Sequence, residues 1–257
     1  MRRFFLFIFV FCLSQQIFAQ RHEIGIFAGG ANVIGDVGKG NYINPFPTRL
    51  VEEGKVFMPI SIGGIYRFNF NPHMGFRLNL NYSRVGAGDY KSGEQYKIDR
   101  NKSFDNTILE GAVLFEYNFT DINEAQELAK SPYIFFGAGI FNANKMEYGY
   151  DEDNDQLTTN KKGKSNLVLP FGVGYKVRFN YNWLLSFETG FRYTNQDYLD
   201  YNVAEFTQEL IDAGNTNPDI AEQIRSKTFG NTSNKDWYVH TGFTLTYSFG
   251  RPACYCN

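Results

Sequence analysis

After Leu13 the sequence lacks any continuous apolar segment long enough for a membrane-spanning helix, which needs about 20 such residues. It also lacks a run rich in proline, serine or glycine that would divide the chain, so we expect one domain. The formal net charge of -2 does not indicate a nucleic-acid partner. Aromatic residues are abundant, with 26 Phe and 17 Tyr against two Trp, while mean hydropathy is negative. This combination is typical of strands that alternate apolar and polar residues.

Cysteine is scarce as well. Cys12 falls in the N-terminal apolar run, and Cys254 and Cys256 stand one residue apart near the end of the chain. A disulfide between such close residues is strained, so we interpret the pair as part of a flexible tail, with a bridge to another chain as the alternative. No His or further Cys stands beside them at metal-ligand spacing. The sequence predicts neither a metal site nor a cofactor.

The N-terminus has the features of a secretory signal peptide. Met1-Arg2-Arg3 gives a positive start, an apolar run extends from Phe4 to Leu13, and Ala19 precedes a favourable cleavage point. We expect residues 1–19 to be removed and the mature domain to span residues 20–257. The protein is therefore expected outside the cytoplasm.

Apolar and polar residues alternate with a period of two through most of the mature chain. The clearest example is Trp237 to Phe249, where the odd positions are large and the even positions are small or polar. Such alternation indicates strands with one face toward lipid and one toward a barrel interior. For Tyr133 to Lys145 the inward face stays open. The pattern predicts eight strands at 22–31, 60–70, 76–83, 109–119, 133–145, 167–179, 183–193 and 237–249.

Connection lengths alternate along the chain. The longer, polar connections are 32–58, 85–106, 146–166 and 195–236. Outer-membrane barrels have short periplasmic turns and long external loops, so both termini, including the tail 251–257, are expected in the periplasm. Short helices are expected at Ala204 to Asp212 and Pro218 to Ser226, and a mobile loop at Asp151 to Lys164. The predicted fold class is all-β, a closed antiparallel transmembrane barrel with long external loops.

The inward positions carry charges of both signs. Buried charges are costly unless they pair and hydrogen-bond, so a cross-strand ion network is expected to fill the lumen. A lumen just wide enough for side chains cannot pass a protein. The expected members are Glu23, Arg67, Arg77, Glu110, Glu116, Lys176, Arg178, Glu188 and Arg192.

No catalytic residues are predicted. Of the three His, only His240 is expected near an external strand end, with Thr241, Ser233 and Asp236 close in sequence. Such proximity is weak grounds for a catalytic cluster, and a hydrogen-bonded lumenal histidine is the preferred interpretation. Two alternatives remain open: a surface enzyme acting on lipid or peptide, and a passive structural barrel. No small-molecule substrate is expected, and outer-membrane lipid is the expected surrounding.

Several segments resemble the PorG-like outer-membrane barrel component of the type IX secretion system. The resemblance covers essentially the whole mature chain and is most specific in the Gly-Asp and Tyr-Ile-Asn-Pro segments. The segments are 22–30 (HEIGIFAGG), 34–38 (IGDVG), 42–45 (YINP), 105–110 (DNTILE), 115–119 (FEYNF) and 131–139 (SPYIFFGAG).

The resemblance implies a non-enzymatic machine part that anchors or docks the periplasmic ring formed by a lipoprotein and its partner. The connection at 121–131 lies on the expected periplasmic side, where residues 124–128 form a potential short helix. The insertion 195–234 is the least typical of the family. The residues expected to contact the ring are Ile122, Glu124, Glu127, Leu128, Arg251, Cys254 and Cys256.

Overall fold

A computed structural model describes residues 21–38, 42–46, 49–52, 55–122, 128–151, 156–201, 206–228 and 235–250. The predicted signal peptide, the C-terminal tail and the centre of the 121–131 connection lie outside the described residues.

Ten strands and three α-helices are present in the described residues. The strands are β1 Arg21–Ile34, β2 Leu50–Glu52, β3 Lys55–Phe57, β4 Ile60–Asn69, β5 Met74–Gly88, β6 Ser103–Asn118, β7 Lys130–Asp151, β8 Gln156–Arg178, β9 Trp183–Thr194 and β10 Trp237–Phe249. The helices are α1 Gln95–Arg100, α2 Gln208–Thr216 and α3 Pro218–Lys227, with a 3-10 turn at Asp89–Lys91.

Eight of the strands close into a ring in the order β1-β10-β9-β8-β7-β6-β5-β4, with every neighbour antiparallel. The first and last strands close it, with Ile26 opposite Leu245. Strands β2 and β3 form a separate small hairpin. The predicted all-β fold with a closed eight-stranded barrel is confirmed.

Side chains alternate between the two faces of the wall. On β5, Leu78 and Leu80 are exposed on the outside while Arg77, Asn79 and Asn81 are buried inside. Aromatic pairs lie at both ends of the outer apolar band, Trp237 with Tyr193 and Trp183 with Tyr247, as at the two interfaces of a membrane barrel. No helix among the described residues is long and apolar enough to cross a membrane.

The inward face of β7, left open by the sequence, carries Tyr133, Phe135 and Phe141, all buried. The outward face carries Ile134, Phe136 and Ile140, all exposed. Both faces of β7 are apolar here, so the alternation of apolar and polar residues could not indicate which face is inward.

Several local predictions differ from the structure. Strand β5 extends to Gly88 and β6 begins at Ser103, both within the connection expected at 85–106. The connection 146–166 was expected to be a loop, but β7 and β8 stay paired from Ile140↔Leu167 to Asp151↔Gln156, because backbone hydrogen bonding continues where the side chains are polar. The helix expected at 204–212 is α2, which begins four residues later. The following helix α3 lies as predicted, with Pro218 at its first turn and the Asn217 side chain accepting from the Asp219 amide.

Replacing Leu80, which is 71% exposed in the middle of the outer band, tests this orientation of the wall. Leu80→Arg places a charge in lipid and is expected to lower the free energy of unfolding by about 2–4 kcal/mol. The measurement is urea unfolding of the barrel in phospholipid vesicles. The control Ile211→Arg, on exposed helix α2, is expected to change it by less than about 0.5 kcal/mol. Equal effects would contradict a lipid-facing band.

Candidate functional site

The lumen is filled by an ion network centred on Glu116 of β6. Its carboxylate contacts three cations from three other strands: Arg67 Nε at 3.0 Å, Arg77 Nη1 at 3.5 Å and the Lys176 ammonium. Exposure of these four side chains is 1% or less. One carboxylate therefore ties β4, β5, β6 and β8 together across the lumen.

Two further carboxylates extend this network. Glu23 on β1 pairs with Arg67 and accepts from Asn69 Nδ2 at 3.1 Å. Glu188 on β9 accepts two hydrogen bonds from Arg77, at 2.7 and 3.2 Å, and a third from the Tyr133 hydroxyl at 2.5 Å. Each carboxylate thus has several donors, as burial of charge requires.

A second group surrounds Glu110. It accepts from Arg192 Nε at 3.4 Å, the Tyr238 hydroxyl at 2.7 Å and Asn81 Nδ2 at 3.4 Å. Arg178 lies at the short-turn end, where it donates to the carbonyls of Ile122 and Tyr181 at 2.8 and 2.9 Å. The structure therefore joins eight of the nine predicted lumen residues into two groups and places Arg178 at one end.

The burial of these charged side chains bears on what can pass through the barrel. A water-filled channel would expose the groups along its wall, yet the nine predicted lumen residues are no more than 3% exposed. The lumen is therefore packed with side chains, as expected for eight strands.

The end of the barrel with the long connections is closed by an apolar cluster. Residues 195–201, which follow β9 and are called the mouth segment here, bring Tyr198, Leu199 and Tyr201 into it. Asn106 Nδ2 donates to the Leu199 carbonyl at 3.1 Å, and the Tyr201 hydroxyl donates to the Asp105 carbonyl at 2.8 Å. The barrel partners are Ala31, Val33, Val37, Val85, Phe104, Ile108, Phe141, Ala143, Val168 and Tyr238.

Four aspartates converge beside the mouth segment: Asp36, Asp197, Asp200 and Asp236. The Asp236 Oδ2 accepts from the Leu199 amide at 2.9 Å, and Asp200 Oδ2 accepts from the Asp36 amide at 3.4 Å. Burial, and then the charge of Asp200, raises the pKa of Asp236 to about 9. The same two causes raise the pKa of Asp197 to about 6. At neutral pH Asp236 therefore holds a proton.

The predicted docking residues are only partly described. Ile122 is buried at the short-turn end, and Leu128 is 56% exposed with a left-handed backbone, φ 69°. Glu124, Glu127, Arg251, Cys254 and Cys256 lie outside the described residues.

His240 lies inside the lumen with 1% exposure. Its Nε2 is 2.9 Å from the Ser83 hydroxyl, which donates to Ser61 at 2.8 Å. Its ring lies 5.4 Å from that of Tyr238, a member of the mouth cluster, so the histidine is lumenal and close to the external end of β10, in agreement with the preferred interpretation of the sequence. Among the described residues no group of three or more His, Cys, Asp or Glu side chains has an arrangement that could hold a metal ion.

Sequence reasoning missed the mouth segment and the aspartate cluster. A signal was present, because Tyr198-Leu199-Asp200-Tyr201 is an apolar stretch within a long polar connection. The four aspartates come from three separate parts of the chain, so nothing in their spacing showed that they meet.

The closed wall, apolar belt and packed lumen define a small transmembrane β-barrel of the outer-membrane type. The chain belongs to the family described as Domain of unknown function (DUF6089), whose profile matches residues 2–257. No curated protein matches it.

The chain is similar to several solved barrels. The Yersinia pestis attachment invasion locus protein Ail, solved with the heparin analogue sucrose octasulfate, has 13% identity and a TM-score of 0.42, with 90% of this chain and 99% of that chain covered. Neisserial surface protein A has 10% identity and a TM-score of 0.40, with 90% and 95% covered. Pseudomonas aeruginosa OprG has 12% identity and a TM-score of 0.39, with 90% and 96% covered. Such values are too low to transfer a ligand or a function.

Neutralising Glu116 tests the importance of the ion network. Glu116→Gln leaves Arg67, Arg77 and Lys176 buried with one carboxylate fewer and is expected to cost about 3–5 kcal/mol of unfolding free energy. Denaturant unfolding in detergent micelles measures it. Glu147→Gln, in an exposed pair with Lys162, is the control and is expected to cost less than about 1 kcal/mol. Similar losses of unfolding free energy in the two variants would mean that the buried network does not stabilise the barrel more than an exposed ion pair does.

The aspartate cluster predicts that the packing of the mouth segment against the barrel depends on pH. Because the folded pKa of Asp236 lies above the ordinary value of 3.8, folding binds its proton, so its contribution to stability is greatest below about pH 4 and falls as pH rises to about 9. The mouth segment is expected to loosen between pH 5 and 9. Trp237 fluorescence, measured in a Trp183→Phe background, follows the change.

Asp236→Asn should abolish most of this pH response, because the amide oxygen still accepts from the Leu199 amide without a charge. Asp212→Asn on exposed α2 is the control and should keep the response. A response that persists in Asp236→Asn would exclude Asp236 as its source.

Proposed function

We propose that this protein is a non-enzymatic outer-membrane component of the type IX protein secretion machinery. In this proposal the barrel is an anchor, and the end with the short turns and both termini faces the periplasm. That end docks the ring formed by a lipoprotein and its partner. The resemblance of the 34–38 and 42–45 segments to the PorG-like component supports the assignment.

The packed lumen is the observation that carries the anchor role. Export of a folded protein needs a wide water-filled passage, whereas the Glu116 network fills the interior of this barrel. The barrel therefore contributes to a machine through its ends rather than as its pore.

The most specific resembling segment has a structural role at the outer rim. The Gly38 amide donates to Asp89 Oδ1 at 2.9 Å, and Arg100 donates to the Asp36 carbonyl at 2.8 Å. Gly38 has φ +90°, and a Cβ on Gly35 would lie 2.9 Å from Asp236 Oδ1. These glycines let the segment lie against the mouth, which gives a physical reason for the Gly-x-x-Gly spacing.

The periplasmic docking surface is assigned to the connection between β6 and β7. Leu128 offers an exposed apolar side chain there, and the predicted contacts Glu124 and Glu127 precede it in the sequence. Ile122 is buried and supports this end of the barrel by accepting from Arg178. The docking surface therefore excludes the Ile122 side chain.

Deleting the gene is expected to stop proteins with the type IX sorting domain from reaching the cell surface, measured by surface proteolysis and blotting. A variant with glycine and serine at residues 123–128, expressed in the deletion strain, should still form the folded barrel. It should restore neither export nor co-purification of the ring. The matched control replaces residues 152–155 at the opposite end and should restore both. Normal export in the deletion strain would reject the assignment and leave the passive barrel.

A further inference from the structure

A groove runs along the outer face of the barrel wall. Residues of β1, β4, β5, β9 and β10 line it, and none of them is charged. Its volume of about 640 Å³ lies in the range of pockets that bind small molecules. The groove therefore has the size and the apolar character of a binding site on the lipid-facing side of the wall.

Gly64 forms the floor of this groove. It is exposed on the outer face of β4, directly opposite Ile26 of β1 on one side and Leu80 of β5 on the other. The side chains of Ile26 and Leu80 are both exposed. Two large side chains thus flank a position that has none.

Packing of the wall does not require glycine at this position. A Cβ on Gly64 would have no atom within 4 Å beyond its chain neighbours, whereas a Cβ on the adjacent Gly63 would lie 2.7 Å from the Leu80 carbonyl oxygen. Leu80 leans away from Gly64, because a Cβ on Gly111 of β6 would lie 3.5 Å from Leu80 Cδ2. The effect of Gly64 is therefore to open the groove.

The groove lies in the half of the apolar band nearest the short turns. Trp183 and Tyr247, the aromatic pair at that end of the barrel, line one end of the groove. Gly64 and Leu80 lie toward the middle of the band. An empty space in an apolar medium loses dispersion contacts on one side. The surrounding hydrocarbon chains are flexible and apolar, and an acyl chain fills such a groove.

The aromatic end of the groove is polar. The Tyr66 hydroxyl lies 2.8 Å from His22 Nδ1, and the Tyr247 hydroxyl accepts from Asn182 Nδ2 at 3.2 Å. A tyrosine hydroxyl that accepts one hydrogen bond still has its own hydrogen to donate. Tyrosine and tryptophan at a membrane interface lie at the level of the lipid head groups. The groove is thus apolar along its length and hydrogen-bonding at the head-group end, which matches a phospholipid.

We propose that this groove binds one phospholipid of the periplasmic leaflet. One acyl chain lies on Gly64 between Ile26 and Leu80, and phosphate or ester oxygens of the head group contact the Tyr66 and Tyr247 hydroxyls. The uncharged lining favours a zwitterionic head group over an anionic one. The inference goes beyond the proposed function, and only the naming of the leaflet rests on the orientation given there.

Native mass spectrometry of the purified full-length barrel, titrated in detergent with phosphatidylethanolamine, measures the dissociation constant of the one-to-one complex. Gly64→Leu places a side chain in the groove and is expected to weaken binding about 10-fold, because the acyl chain loses its contacts there. The matched control Ala138→Leu adds the same side chain at an exposed position of β7 outside the groove and should bind as the wild type.

A second variant tests the head-group end without filling the groove. Tyr66→Phe/Tyr247→Phe removes both hydroxyls and is expected to bind phosphatidylethanolamine about 3- to 10-fold more weakly. Tyr82→Phe, which removes an exposed hydroxyl outside the groove, is its control and should bind as the wild type. Heat-dependent migration in gels checks that each variant is a folded barrel.

Three outcomes would overturn the proposal. Unchanged binding by Gly64→Leu or by the double Phe variant would mean that the groove is not the site. Equal loss of binding in Ala138→Leu would mean that lipid contacts the whole wall without a preferred position. Barrel dimers that carry no lipid and dissociate in Gly64→Leu would assign the groove to a second copy of this chain.

Failure of this inference and failure of the proposed function give different results. The titration uses purified protein and does not depend on export or on the periplasmic ring. A barrel that binds phosphatidylethanolamine as expected while export is normal in the deletion strain would reject only the secretion assignment.

Discussion

The rest of the structure depends on pairing charges inside a narrow closed ring. Eight strands leave room only for the side chains of the inner face, so each charged residue there loses its water when the ring closes. Glu116 meets this constraint by contacting Arg67, Arg77 and Lys176 at once, and Glu23, Glu188 and Glu110 repeat the arrangement with fewer partners. Ring closure and ion pairing are therefore coupled, because closure brings these charges together and, without pairing, would leave them buried and unpaired.

The two ends of the barrel are built differently around this centre. At the end with the long connections, Leu199 closes the lumen with an apolar cluster held by Asp236. At the end with the short turns, Arg178 ties β8 to the Ile122 and Tyr181 carbonyls. A filled centre with two distinct ends suits the proposed role, in which the barrel is an anchor and the end with the short turns docks a periplasmic partner.

A packed lumen also changes where function is to be sought. Exposed features beyond the apolar band include the arm formed by residues 144–151 of β7 and 156–164 of β8 at one end, and Leu128 at the other. The arm is rich in polar residues, whereas Leu128 presents an apolar side chain at the end with the short turns.

The sequence by itself determined the strands, their alternation and the identity of the inward charges, because a side-chain period of two is a local property of an extended chain. Glu116 and Arg77 were recognisable as lumenal for this reason. The sequence did not determine which face of β7 is inward, since Tyr133 and Ile134 are both apolar. It also did not determine how far β7 and β8 stay paired, since backbone pairing persists through polar residues. Only the tertiary structure decided that Glu116 is the centre of the network, that Leu199 folds into the mouth and that Asp36, Asp197, Asp200 and Asp236 meet. These contacts join residues up to about 200 positions apart, and their geometry follows from ring closure and strand register, which no local pattern encodes.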